Sequence, residues 1–252
     1  MKLGGFILEA VCYIGHGSRT EQGNKAFVAF IKGVMSIVDA PIQEYGFMEL
    51  AEPSIPDAIE KCVNQGATVV KVMPVLLLPG IHANFDIPSF VEKARKKYPD
   101  VTFLYGTPLA GDDLMLEVFH DRLQSCGAVA DEKSAVLLVG HGSRDNQAAE
   151  AFMELASNYR KQSSFEVHVG YLKMTEPFFG DVLEEMLKSE EYTNIYVLPF
   201  LLFTGGFAEQ IKKVISYYQE HYETKVISQC DPVGFDEKLQ LLLKKRVLEV
   251  RG

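Results

Sequence analysis

The sequence predicts an α/β chain of two tandem, similar, doubly wound domains, each on a parallel four-stranded sheet. Three observations predict it. The segment Gly15-His-Gly-Ser-Arg19 recurs as Gly140-His-Gly-Ser-Arg144. The repeat keeps its register well beyond that segment: His16 to His141 is an offset of 125, Glu52-Pro53 to Glu176-Pro177 one of 124, and Pro74 to Pro199 one of 125 again. Throughout, short apolar runs alternate with amphipathic stretches of helical length, the pattern of βα units. The chain therefore divides into residues 1–126 and 127–252, joined near Cys126 to Lys133, and each part is long enough for a modest core.

In the first half, strands are expected near Val11 to Ile14, Ile42 to Phe47, Thr68 to Val75 and Val101 to Tyr105, each a short run rich in β-branched or aromatic residues. Helical spacing of apolar residues places helices near Asn24 to Val38, Pro56 to Gln65, Asp86 to Tyr98 and Asp112 to Gln124. In the second half, strands are expected near Ala135 to Val139, Glu166 to Tyr171, Asn194 to Pro199 and Lys225 to Ser228, each followed by a helix. A nearly continuous apolar run such as Thr68 to Leu78 fits a parallel strand covered on both faces. Right-handed crossovers leave few topologies, and the order 2-1-3-4 is the expected one.

The composition is that of a soluble globular protein, 47% hydrophobic and 23% charged. A formal charge of −9 leaves no basic stripe to release counterions, so nucleic acid and an anionic membrane are not the expected partners. The apolar stretch Leu3 to Ile14 is interrupted by Glu9 and followed by Gly-His-Gly-Ser-Arg where a leader would carry small residues for cleavage. A cytoplasmic location is the expectation. Cys12, Cys62, Cys126 and Cys230 show no C-x-x-C spacing and are read as reduced packing residues.

Ligands of open α/β sheets bind beyond the carboxyl ends of the strands, where the winding reverses. His16 follows the first strand, Glu49 the second and His82 the third, and in a 2-1-3 arrangement these strands are neighbours about 5 Å apart. The three side chains can therefore converge. Two imidazoles and a carboxylate suit a first-row divalent ion such as iron, cobalt, nickel or zinc, while calcium and magnesium want more oxygen. The repeat supplies a control. His16 keeps His141, but His82 falls opposite Phe207 and Glu49 opposite Lys173. A purely structural turn would account for His16 and His141, since the glycines supply unusual backbone angles; it would not account for His82 and Glu49. The same turn could cradle a phosphate at the following helix N-terminus, although its spacing is neither G-x-G-x-x-G nor a P-loop. A loop histidine such as His82 is, taken alone, more often solvated than ligating. His120 and His221 read as surface residues and His168 as a strand residue. Ser18 and Ser143 lie in no G-x-S-x-G elbow.

Taken together, Gly15-His-Gly-Ser-Arg19, Phe47-Met-Glu-Leu-Ala-Glu-Pro-Ser54 and the stretch Met73 to Pro88 resemble the sirohydrochlorin chelatases, the class II tetrapyrrole chelatases. The likeness covers both halves. It implies a chelatase-like fold with a cleft between the two domains, His16 and His82 as catalytic histidines, and Glu49 as the carboxylate ligand beside them. It implies insertion of Fe²⁺ into sirohydrochlorin to make sirohaem with release of two protons. Insertion of Co²⁺ on the anaerobic route to cobalamin is the alternative. No His-rich or cysteine-bearing tail is seen before Gly252, which leans towards iron. The metal is then substrate, and no permanently bound cofactor is expected, although Co²⁺ or Ni²⁺ could enter the same site.

The implied substrate carries carboxylates while the chain is acidic, so binding must rest on local groups. Ser18, Arg19 and the N–H groups behind Ser18 are candidates, with Asn84, and Ser143 and Arg144 across the cleft. Leu78, Ile81, Phe85, Phe203 and Phe207 could line a slot for a flat macrocycle, or be ordinary packing residues. A monomer is expected. Two other readings stand beside the enzyme: a non-catalytic metal or tetrapyrrole carrier with the same ligands, and an iron oxygenase or hydrolase using two histidines and a carboxylate.

Overall fold

A computed structural model describes residues 7–203 and 205–251. Among them the first repeat runs β1 (Glu9–Gly15), α1 (Glu21–Ile37), β2 (Ile42–Phe47), α2 (Ile55–Asn64), β3 (Val69–Pro74), α3 (Ile87–Lys97), β4 (Thr102–Tyr105) and α4 (Asp113–Ser125). The second runs β5 (Ser134–Gly140), α5 (Asn146–Gln162), β6 (Glu166–Tyr171), α6 (Phe179–Lys188), β7 (Asn194–Pro199), α7 (Gly206–His221), β8 (Val226–Gln229) and α8 (Glu237–Glu249). Both sheets are parallel, in the orders β2-β1-β3-β4 and β6-β5-β7-β8. The α/β class, the doubly wound topology and the 2-1-3-4 order all match the sequence reading, and β2, β6 and β7 coincide with it residue for residue.

Local chemistry sets the helix starts. Thr20 accepts a hydrogen bond from Gly23 N at 3.2 Å and caps α1, and Ser54 and Asp57 form a reciprocal capping box at α2. Asp112 and Asp145 cap α4 and α5 in the same way. The central strands β1 and β5 are buried almost throughout, as strands covered on both faces must be. On one face of the first sheet, Cys12, Ile14, Val70 and Val72 pack with Ile55 and Ile59 of α2 and Ile87 and Val91 of α3. The second sheet repeats this with Leu137, Val139, Val197, Leu183 of α6 and Ile211 of α7.

One departure from the sequence reading lies before α3. His82 to Asp86 are not loop but a single turn of π-helix, closed by Ile87 N donating to His82 O. The corresponding helix of the second repeat, α7, is α-helical from Gly206.

Packing groups the chain differently from its repeat. The compact units are Met1–Leu109 with Leu239–Gly252, and Ala110–Lys238. The sequence division near Cys126 assigns α4 to the first half and α8 to the second; packing places α4 in the second unit and α8 in the first. Within the second unit, Phe119 of α4 meets Tyr159 and Phe200 edge to face, with ring centres 5.3 and 5.7 Å apart. Also in that unit, Arg122 of α4 donates from Nε to Pro232 O at 2.8 Å and from its terminal nitrogen to Val233 O at 2.8 Å and Asp236 Oδ2 at 2.9 Å. Arg246 of α8 is the repeat counterpart of Arg122, and within the first unit its Nε donates to Pro108 O at 3.3 Å. Each unit is therefore closed by the other repeat's last helix.

The Arg122 anchor is testable by stability. Its side chain and that of Asp236 are only 20% and 16% exposed, so removing the guanidinium strands a half-covered carboxylate and two carbonyls. Arg122→Ala is expected to lower the free energy of urea unfolding by about 1–3 kcal/mol at unchanged slope. A loss below about 0.5 kcal/mol would mean that apolar contacts alone hold α4.

Candidate active site

The site begins as an extension of the sheet. Past the last residues of β1 and β2, Met48 N donates to Gly15 O at 2.9 Å and Glu49 N to His16 O at 3.1 Å. The chain then turns sharply on both sides. Gly17 has φ +93°, and a β-carbon there would lie 1.9 Å from Glu49 O, so only glycine allows the approach. Leu50 holds φ +64°, uncommon for a branched residue and a sign of local strain. On the other side of β1, Val75 N donates to Ile14 O at 2.8 Å, which starts the loop to His82 beside the same strand end.

These backbones bring His16, Glu49 and His82 together. His16 Nε2 lies 3.6 Å from Glu49 Oε1, and the His16 and His82 rings meet edge to face with centres 4.9 Å apart. The protons can be assigned from the partners. His16 Nδ1 lies 3.2 Å from Gly17 O and His82 Nδ1 lies 2.7 Å from Asp86 Oδ2. Carbonyl and carboxylate oxygens only accept, so each Nδ1 carries a hydrogen, and in the neutral ring each Nε2 presents a lone pair. His16 Nε2 and Glu49 Oε1 are then two Lewis bases facing each other. Atoms 3.6 Å apart can both sit about 2.1 Å from one point, the bond length of first-row ions to nitrogen and oxygen. Among the described residues no group of three or more His, Cys, Asp or Glu side chains stands arranged to hold a metal ion. The arrangement is looser than that.

The second repeat reproduces the backbone and replaces the chemistry. Lys173 N donates to His141 O at 3.2 Å, and Gly142, at φ +85°, would place a β-carbon 1.7 Å from Lys173 O. His141 Nδ1 donates to Gly142 O at 2.8 Å. Phe207 meets the His141 ring edge to face at 4.6 Å, where His82 meets His16, and Lys173 Nζ sits 4.8 Å above the Phe207 ring. The alignment of Phe207 with His82 and of Lys173 with Glu49 thus holds in space.

The candidate polar contacts are differently placed. Ser18 N donates to Asn24 Oδ1 at 2.8 Å and Thr20 N to Ser18 Oγ at 3.2 Å, so these N–H groups are used inside the loop. Ser143 N likewise donates to Thr175 Oγ1 at 3.0 Å and Asp145 N to Ser143 Oγ at 3.0 Å. Arg19 and Arg144 are exposed, and Asn84 lies half-buried in the π turn. Of the apolar candidates, Ile81 and Phe85 are 47% and 66% exposed; Leu78 and Phe203 are half-buried, and Phe207 belongs to α7 rather than to a loop. Two residues of this site were not singled out from the sequence. Asp86 could have been found from its i,i+4 spacing to His82. Leu50, half exposed beside Glu49, carries no sequence signal.

Comparison with known proteins places these observations. The CbiX family matches the chain twice, over residues 10–126 and 135–250. The sirohydrochlorin ferrochelatase of Priestia megaterium is 34% identical over 241 residues, covering 95% of this chain and 90% of that protein. The sirohydrochlorin cobaltochelatase of the same organism is 31% identical over 252 residues, covering 98% and 81%. The structure of SirB from Bacillus subtilis with Fe³⁺ superposes with a TM-score of 0.89 at 30% identity, covering 96% of this chain and 95% of that one.

The paired glycines give a test with its own control. Gly17→Ala and Gly142→Ala force the same clash and the same backbone strain, and each is expected to cost about 1–3 kcal/mol in thermal or urea unfolding. Only Gly17→Ala is expected to weaken Co²⁺ binding in calorimetric titration, because only its strand end presents His16 to Glu49. Equal loss of Co²⁺ affinity in both variants would place the metal elsewhere.

Proposed function

The chain belongs to the CbiX family of sirohydrochlorin chelatases, and we propose that it inserts Fe²⁺ into sirohydrochlorin through His16, His82 and Glu49 of its first repeat. Chelatase activity on this tetrapyrrole follows from the family. The residue roles and the choice of iron are our reading, and the single observation that supports the roles most is the His16 Nε2 to Glu49 approach beside the His82 ring. Insertion exchanges the waters of a divalent ion for four ring nitrogens and releases two pyrrole protons. Lone pairs on His16 Nε2 and His82 Nε2 can hold the ion or take a proton. Glu49 offsets the charge of the ion and passes protons to water, being half exposed. A closed cage would retain the metal; this open set of three releases it to the macrocycle.

Leu50, next to Glu49 in the chain, and Ile81 and Phe85, one residue before and three after His82, have exposed side chains that offer apolar surface to a flat ring. Arg19, Asn84, Ser143 and Arg144 stay as proposed carboxylate contacts. Four free cysteines, three of them buried, suit a reducing compartment such as the cytoplasm. Among the described residues no helix is long and apolar enough to cross a membrane.

Cobalt is the second reading, since one relative acts as a cobaltochelatase. The deciding experiment follows tetrapyrrole absorbance anaerobically with Fe²⁺ or Co²⁺. Multiple turnover is expected with both ions, with a higher kcat/KM for Fe²⁺. His16→Ala and His82→Ala are expected to lower kcat/KM at least about a hundredfold, and His141→Ala less than about threefold. Stoichiometric binding without turnover would make the chain a carrier. A higher kcat/KM for Co²⁺ would reverse the metal assignment.

A further inference from the structure

We infer that Asp86 is a positioning residue for metal delivery: its carboxylate holds the His82 ring as the Nδ1–H tautomer and thereby aims Nε2 at the incoming ion. The inference rests on the proposed role of His82, and three observations carry it.

The first is the contact itself. Asp86 Oδ2 accepts from His82 Nδ1 at 2.7 Å across one helical turn, with both side chains about half exposed. A histidine whose far nitrogen meets a carboxylate has its ring orientation and tautomer fixed, and such partners matter to ligation nearly as much as the ligand. The second is the backbone that presents the pair. His82 and Asp86 are the first and last residues of the π turn, which leads directly into the buried Ile87. Single π turns inside helical segments often mark functional positions. Tyr105 of β4 donates from its hydroxyl to Ala83 O at 2.7 Å and ties this turn to the sheet.

The third observation separates structure from function, because the second repeat keeps the tie and drops the pair. Gln229, the counterpart of Tyr105, donates to Ala208 O at 3.4 Å, and Ala208 is the counterpart of Ala83. Yet Phe207 stands for His82, and Ile211, fully buried, stands for Asp86. The carboxylate is missing where the imidazole is missing, and the π turn that presents the two is missing with them, so the pair and its turn occur as one unit.

The test needs no tetrapyrrole. Long-range ¹H–¹⁵N spectra of the full chain report which imidazole nitrogen carries the proton, with His82 identified by its loss in His82→Ala. Wild type is expected to show His82 as Nδ1–H. Asp86→Asn keeps the shape but can donate to Nδ1 as well as accept from it, so a rise of the Nε2–H form is expected. Co²⁺ affinity is expected to fall about 10–100-fold in Asp86→Ala and to recover in part in Asp86→Glu. Tyr105→Phe, which loosens the turn without touching the pair, is expected to leave the tautomer unchanged. An Nε2–H form of His82 in the wild type, or Co²⁺ affinity within twofold of wild type in both Asp86→Ala and Asp86→Asn, would overturn the inference. Failure of the wild type to turn over sirohydrochlorin would defeat the proposed function and leave these two readouts standing.

Discussion

The hydrogen bond from Glu49 N to His16 O governs the site. It adds one more rung to the β1–β2 ladder just past the strand ends, and in doing so fixes His16 and Glu49 to one another through the backbone rather than through flexible loops. The rung is possible only because Gly17 takes φ +93° and carries no β-carbon. Sheet order does the rest. With β1 central, β2 and β3 flank it, so the segments that leave their carboxyl ends meet at His16. A side chain placed by a ladder rung is held more closely than one on a mobile loop.

The last helix of each repeat adds a second constraint. Arg122 and Arg246 occupy the same repeat position, and each bonds a proline carbonyl in the loop after the other repeat's final strand, Pro232 and Pro108. Neither compact unit therefore coincides with one repeat: the second is the continuous stretch Ala110–Lys238, which crosses the repeat boundary, and the first joins Met1–Leu109 to Leu239–Gly252. The first unit, which holds His16, Glu49 and His82, takes its outer helix from residues beyond Leu239. Gly33 of α1 illustrates the fit: a β-carbon there would meet the Gln240 side chain of α8 at 2.6 Å. Fusion of the repeats in one chain thus bears on the stability of the unit that holds His16, Glu49 and His82.

The strands and helices were legible in the sequence because parallel βα units write themselves in long apolar runs and regular periodicity, and the repeat doubled every signal. The convergence of His16, Glu49 and His82 was legible from topology alone, since neighbouring strands must bring their ends together. What was not legible depends on interactions distant in sequence or on unusual backbone. The exchange of α4 and α8 leaves no local trace, because an amphipathic helix reads alike whichever sheet it covers. The π turn at His82 differs from an α-turn by one residue in its hydrogen bonding, below what periodicity resolves. Nor does the sequence reveal that the backbone N–H groups of Ser18 and Ser143 donate to the Asn24 and Thr175 side chains.

The second repeat shows which features of the recurring Gly-His-Gly-Ser-Arg segment belong to folding and which to chemistry. Both copies keep the left-handed glycine, the histidine with its Nδ1 turned to the next carbonyl, and the rung from the neighbouring strand. All of these are backbone devices, and a motif built from them recurs whether or not a metal is handled. The chemistry lies in what approaches that frame. At the first copy a carboxylate and an imidazole approach; at the second an ammonium approaches, resting on a phenyl face. A lysine in place of Glu49 reverses the local charge, and a phenylalanine in place of His82 removes a lone pair, so each change alone disfavours a divalent cation. Cation–π contact settles the Lys173 ammonium over the Phe207 ring. The motif that occurs twice marks the frame, and the residues that occur once, Glu49 and His82, are the ones proposed to act on the metal.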